Sequence, residues 1–233
     1  MRGVRIIPLC GLLNREVRTF AYYPTHNQKF KTLDDFKKLW EFTIKHETEI
    51  EHGFDVDTFI VLNEECEGLE EGVRKTKNGN LYIIKGENFG KSFGAFNQVF
   101  QKYKDEYDYW LFGEDDIIVL GDSYFKKCVD RFNSEPNIGF LALAGVNSTN
   151  PRIHAHSATG LTSREILKKV CEVNGGGLPC PKSAKKHFDL IEYGEIPFTN
   201  EIYKLGYRLV EYGTREWGEH NLIIPYYDIC KKK

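Results

Sequence analysis

The stretch Tyr107 to Leu120, YDYWLFGEDDIIVL, constrains the fold more than any other in the chain. An apolar core, Tyr109-Trp110-Leu111-Phe112, runs directly into Glu114, Asp115 and Asp116, and apolar residues resume at Ile117. A run this continuous suits a central parallel strand covered on both faces. Ligands in open α/β sheets gather at the carboxyl ends of such strands, where these three acids stand. Side chains alternate along extended backbone, so Glu114 and Asp116 are expected on one side and Asp115 on the other. Acids set into strand sequence are costly to desolvate without compensation. Two on one side can share a hard divalent cation, Mg²⁺ or Mn²⁺, whose remaining positions go to water and phosphate oxygens.

Around this stretch the chain alternates between strand and helix patterns. Strands are expected at 18–23, 58–62, 81–84, 139–144 and 207–212, with helices opening at Leu33, after Asn97, and over 123–132, 163–171 and 197–205. Such alternation predicts a single α/β, Rossmann-like domain with a mostly parallel central sheet flanked by helices. A length of 233 residues with 41% hydrophobic content is enough for one large core. Residues 172–187, EVNGGGLPCPKSAKKH, hold three successive glycines and two prolines and are expected to form a mobile lid.

Basic and acidic residues nearly cancel, 32 against 34, which excludes the electrostatic footprint of a nucleic-acid binder. The terminal Lys231-Lys232-Lys233 supplies marginal attraction to anionic lipid, so membrane contact is at most peripheral. Six cysteines without a CxxC spacing point to a reduced, cytoplasmic compartment. Residues 1–17 read as an N-terminal leader, and no signal peptide is expected in it, since Arg5 and Pro8 interrupt the apolar residues of Met1 to Leu13 and no small-residue cleavage site comes after them.

Taken in order, short motifs in the chain resemble the GT-A glycosyltransferases, most nearly the inverting family 2 enzymes. Phe20 to Asn27 resembles the first nucleotide-contacting unit, and Asn88-x-Gly90-x-x-x-Gly94-x-x-Asn97 resembles the loop and helix before the metal strand. YDYWLFGEDD resembles the strand ending in a DxD-type motif, with Glu114 in place of its first Asp, and Gly160-x-x-x-Arg164 resembles the segment that approaches the acceptor. The resemblance implies a GT-A domain over 18–233, with 18–120 binding a nucleotide-sugar, UDP-sugar favoured, and 121–233 binding a carbohydrate or glycoconjugate acceptor. It implies donor contacts from Pro24, Thr25, His26, Asn63, Asn88, Gly90, Gly94, Asn97 and Asp115. Metal contacts would come from Glu114, Asp116 and the late His220. Glu195 falls where the family places its catalytic base, with Glu192 the neighbouring candidate. A carboxylate is needed there, since an acceptor hydroxyl must lose its proton as it attacks the anomeric carbon. His154 and His156 are expected to face the acceptor, and Trp217 with Tyr226 and Tyr227 to stack on sugar rings.

Two other functions compete. A sugar-nucleotide pyrophosphorylase shares the α/β core but needs a glycine-rich, basic phosphate loop after its first strand, and Pro24-Thr25-His26-Asn27 holds no glycine. A catalytically silent carbohydrate-binding relative would retain the acids for folding alone.

Overall fold

Gly3–Leu9, the strand β1, is buried along its whole length and lies in the middle of an eight-stranded sheet. The structure, a computed structural model, describes residues 1–9, 33–63, 66, 68–87, 89–148, 152–156, 159–180, 187–213 and 223–225. The leader expected at 1–17 is therefore corrected: its first half is the central strand. The strand expected at 18–23 lies outside the described residues.

Both features that disguise β1 have physical explanations. Arg5 is 2% exposed and is compensated inside the protein, its Nε 3.3 Å from Glu47 Oε2 and its Nη1 donating to the Tyr124 hydroxyl at 3.2 Å. Burial pushes the Glu47 carboxyl up, and Arg5 pulls it back. Pro8 lacks an N–H, yet no ladder bond is lost by it. The Ile6 carbonyl accepts from Gly113 N, so even-numbered residues of β1 face the neighbouring strand Tyr109–Phe112, β5, which ends before it reaches Pro8.

The other sheet members are β2 (Val56–Leu62), β3 (Gly72–Lys75), β4 (Asn80–Lys85), β7 (Ile138–Ala142), β10 (Gly160–Ser163) and β11 (Arg208–Glu211). Their order is β11-β7-β10-β5-β1-β2-β4-β3. Only β3 and β10 run against the rest. This is the α/β, mostly parallel sheet that the alternation predicts. Two short antiparallel ribbons stand outside it, β6 (Ile117–Val119) with β12 (Ile223–Pro225), and β8 (Val146–Asn147) with β9 (His154–Ala155).

Strand alternation sends Ile7 and Leu9 of β1 and Ile60 and Leu62 of β2 to one face. There they meet Phe36, Trp40 and Ile44, an i, i+4, i+8 stripe on the helix α1 (Leu33–Glu49). Val4, Ile6, Phe59 and Val61 point to the other face and pack with Phe93, Phe96 and Phe100 of α2 (Lys91–Tyr103). Phe96 lies flat on Phe112 of β5, with ring centroids 4.3 Å apart. Burying a large apolar side chain contributes about 2 kcal/mol, so these two stripes lock each helix to its face. The helices α3 (Tyr124–Asn133) and α4 (Arg164–Val173) complete the layers.

The lid expectation is also revised where the structure describes it. Asn174 to Cys180 is irregular but pinned: Leu178 N donates to Asn97 Oδ1 at 2.9 Å, Gln101 Nε2 donates to the Gly176 carbonyl at 2.9 Å, and Leu178 is buried. Residues 181–186 lie outside the described residues.

Candidate functional site

Chain order dictates where a ligand can enter this sheet. From β1 the chain moves outward to β2 and β4, then returns to the opposite side of β1 to lay down β5. The carboxyl ends of β1 and β5 thus flank the topological switch point, the place where open α/β sheets form a crevice. The acids leave β5 at this crevice.

They do not continue as strand. Ile117 N donates to the Glu114 carbonyl at 3.2 Å, closing a turn over Asp115 and Asp116, so the alternation expected of an extended segment does not hold. Glu114 is 5% and Asp115 0% exposed, while Asp116 is open to solvent. The Ser92 hydroxyl donates to Glu114 Oε2 at 2.9 Å. Ser92, which no sequence motif marks as a site residue, sits in the first turn of α2 and is itself buried.

Several glycines and amides of the Asn88 to Asn97 motif build the backbone of this corner. Gly90 adopts φ +72° and the next residue, Lys91, φ 52°, so the chain enters α2 through two left-handed residues. Gly94 N donates to the Gly90 carbonyl at 3.1 Å, and a Cβ at Gly94 would overlap the Phe89 carbonyl oxygen. Asn63, buried at the end of β2, donates from Nδ2 to the Lys91 carbonyl at 3.2 Å. Asn97 lies on the outer side of α2, where its Oδ1 holds Leu178. Pro24, Thr25, His26, Asn88 and His220 lie outside the described residues, as do Trp217, Tyr226 and Tyr227.

Glu195 approaches the same corner from another direction. His187–Leu190 (α5), the π-helical turn Ile191–Glu195 and Ile196–Lys204 (α6) form one helical stretch. Ile196 N bonds back to the Ile191 carbonyl, five residues away, and the widened turn makes room for Pro197, whose ring would otherwise crowd the carbonyl four residues before it. Gly194 presses on α2, where a Cβ would come 2.7 Å from Phe93 Cδ2. Ser92, which holds Glu114, and Phe93, which meets Gly194, are consecutive. The acidic turn and the π-helical turn are therefore brought to neighbouring sides of the first turn of α2, about 100° apart.

Glu195 is 4% exposed, and its Oε2 lies 3.5 Å from His154 Nε2. His154 Nδ1 lies 2.6 Å from the Arg152 carbonyl, which can only accept, so Nδ1 carries the proton. Burial lowers the His154 pKa, with the Arg152 carbonyl pulling it back up. A neutral His154 then turns its Nε2 lone pair toward the carboxylate, so that a proton taken up by Glu195 can be shared between Oε2 and Nε2. His156 packs edge-on against His154 with centroids 5.4 Å apart. Glu192 instead pairs with Arg152 in a half-exposed contact. Arg164 lies at the other end of the sheet, pairing with Asp108 at 2.9 Å before β5 begins, so the Gly160 to Arg164 segment runs away from the acids.

Among the described residues no three His, Cys, Asp or Glu side chains form a metal cluster. With Gly3–Leu9 as the first strand, the segment directly after it is a different one from that expected: it opens with Cys10-Gly11 and carries Arg15 and Arg18. Among the described residues, no helix is long and apolar enough to cross a membrane.

No family model matches the chain, and no curated protein does. Among solved structures, it superposes over 100% of its length on 73% of a point mutant of the Drosophila β-1,4-galactosyltransferase 7, crystallised with manganese, UDP-Gal and xylobiose, at 14% identity and a TM-score of 0.46. It likewise superposes over 100% of its length on 98% of the 2-C-methyl-D-erythritol 4-phosphate cytidylyltransferase of Francisella tularensis, at 13% identity and a TM-score of 0.46. The fold class rests on the strand order itself.

Proposed function

We propose that the protein is a glycosyltransferase that moves a sugar from a nucleotide-diphosphate sugar to a hydroxyl of a carbohydrate or glycoconjugate acceptor. The observation that carries this reading is the acidic turn at the end of β5, on the switch point between β1 and β5, with a second buried carboxylate, Glu195, on the neighbouring side of the first turn of α2. Exposed Asp116 would hold Mn²⁺ or Mg²⁺, a hard cation suited to a carboxylate, with Glu114 behind it in the grip of Ser92. When bound, such a cation neutralises charge on the departing diphosphate.

Glu195 takes the acceptor proton as the oxygen bonds to the anomeric carbon and the bond to the diphosphate breaks. His154 holds Glu195 in place and shares its proton, its own tautomer set by the Arg152 carbonyl. Glu192, tied to Arg152, is left as a surface residue. Inversion at the anomeric carbon results from the use of a base in a single displacement.

The segment directly after β1 favours a second reading. A sugar-nucleotide pyrophosphorylase needs glycine and basic residues in that place, and Gly11, Arg15 and Arg18 stand there. The two reactions release different products. Incubation with UDP-sugars and Mn²⁺ should yield UDP and a glycoside or free sugar; pyrophosphate released from UTP and a sugar 1-phosphate, without UDP, would replace the first reading by the second. Thermal shift with UDP should depend on Mn²⁺ in the wild type and lose that dependence in Asp116→Ala. Equal UDP affinity with Mn²⁺ and with chelator in both proteins would refute the cation's role.

A further inference from the structure

The strand β3 stands at one end of the sheet, beyond β4, and all four of its residues are exposed, Val73 by 61%. Thr76 N donates to the Gly79 carbonyl at 3.2 Å, and alternation from that bond turns the main-chain groups of Arg74 and Gly72 toward β4. Those of Glu71, Val73 and Lys75 therefore point away from the sheet. We infer that this edge pairs with β3 of a second copy of the chain, antiparallel about a two-fold axis at Val73, and so joins two eight-stranded sheets edge to edge.

Side chains decide the register. A two-fold axis normal to the sheet sets one residue opposite its own copy and the flanking residues in reverse order. Centred on Glu71, Arg74 or Lys75, it would put like charges face to face, which is destabilising. Centred on Gly72, it puts Lys75 opposite Leu69. Centred on Val73, it puts Glu71 opposite Lys75 on both sides of the axis. Each of these facing pairs, like Val73 with its copy, has outward main-chain groups that exchange two hydrogen bonds. Glu71 Oε1 accepts from Lys85 N at 3.0 Å, and Lys75 Nζ donates to Asn80 Oδ1 at 2.8 Å, so both side chains are held along the edge. A carboxylate has a second oxygen and an ammonium two further hydrogens for the copy opposite. Lysine on an edge strand usually guards against pairing; Glu71 supplies the complement that admits this chain itself.

Both faces of the junction fit this register. On one, Val73 stands beside its β4 neighbour Tyr82, whose ring stacks on Phe59 with centroids 4.8 Å apart. Pairing brings the two Val73 side chains together at the axis and continues this apolar strip across it. On the other face, Gly72 comes opposite the Arg74 of the second copy, and no atom lies within 4 Å of where a Gly72 Cβ would be. Among the described residues Arg74 makes no ion pair in its own chain. It borders a groove of about 480 Å³ between β3 and α1, which Glu41 and Glu49 also line. An arginine crossing Gly72 meets those acids without displacing a side chain.

Sedimentation velocity of the full chain is recorded from about 10 μM to about 1 mM, because an interface of a few strand residues is small and its dimer weak. The expected result is a monomer–dimer equilibrium whose dissociation constant rises about tenfold in Glu71→Lys and in Lys75→Glu, since each variant puts like charges opposite one another at both sides of the axis. An equimolar mixture of the two variants should dimerise as the wild type does, because every facing pair is then opposite in sign. Loss of a local bond or misfolding cannot produce that rescue. Val73→Pro removes an outward N–H, leaves the bonds to β4 in place and should abolish dimerisation. A wild type still monomeric at about 1 mM would overturn the inference. So would a dimer that survives Val73→Pro and both charge reversals, or a mixture no more dimeric than its components. The readout involves no nucleotide, metal or saccharide, so its outcome is independent of the proposed reaction.

Discussion

Acid should unfold this protein through two buried histidines, one of which, His46, is bonded to the short strand that follows the acidic turn. His52 Nδ1 lies 3.0 Å from the Tyr124 hydroxyl and His46 Nε2 3.0 Å from the Val119 carbonyl, both beside the buried Arg5. Burial first, then the charge of Arg5, lowers His52 to about 3 and His46 to about 4. In the unfolded chain both titrate near 6.5. Their neutral forms therefore contribute stability that is intact above pH 6.5 and is lost as pH falls from there toward the folded values. Between pH 7.5 and pH 5.0 each would release up to about 2 kcal/mol; discounting His46 for its partial exposure leaves about 3 kcal/mol together. That is a large fraction of a typical domain's 5–15 kcal/mol. Glu47, with its carboxyl pushed up, works in the opposite sense at the acid end, so the slope is best read above pH 5.5. Urea unfolding followed by the fluorescence of buried Trp40 and Trp110 measures it. The double variant His46→Gln, His52→Asn keeps a polar partner at each site and should flatten the slope between pH 6.5 and 5.5. A wild-type slope under about 0.5 kcal/mol per pH unit, or an equal slope in the double variant, would refute the reasoning.

Gly94→Ala should destabilise by about 3 kcal/mol or more, because the new methyl meets the Phe89 carbonyl; an unchanged urea midpoint would contradict the packing of this turn. Ser92→Ala removes the hydroxyl that donates to Glu114 and should cost about 1–3 kcal/mol, read from the same curves, whereas Ser92→Thr should retain most of it. Glu195→Gln should lower turnover by about 10²- to 10⁴-fold at unchanged donor affinity, since an amide cannot take the acceptor's proton. Glu192→Gln, at a surface ion pair, should leave both turnover and stability within a small margin, and a collapse there instead would exchange the two assignments.

The features legible in the sequence and those that are not divide along a physical line. The β5 stretch can be read because a buried parallel strand has to be apolar throughout, so acids at its end stand out. β1 cannot, because its two irregularities are explained only by partners distant in sequence. Arg5 is compensated by Glu47 and Tyr124, and Pro8 is tolerated because β5 stops short of it. Placing the first strand at 18–23 also displaces the loop after it, which hides the basic segment from Gly11 to Arg18. The π-helical turn is invisible for a related reason: the sequence pattern marks a helix only from 197, and the wide turn before it, which carries Glu195 buried beside His154, leaves no periodic signal of its own. Gly94 and Asn97 read as one motif, yet Gly94 serves the backbone and Asn97 the Gly-rich segment, a distinction set by which side of α2 each occupies. The same rotation around α2 that buries Ser92 against Glu114 turns Asn97 and Gln101 outward. Ser92 and Asn97 therefore act on different neighbours, the acidic turn and the Gly-rich segment, and substitutions at the two should add in their effects on stability.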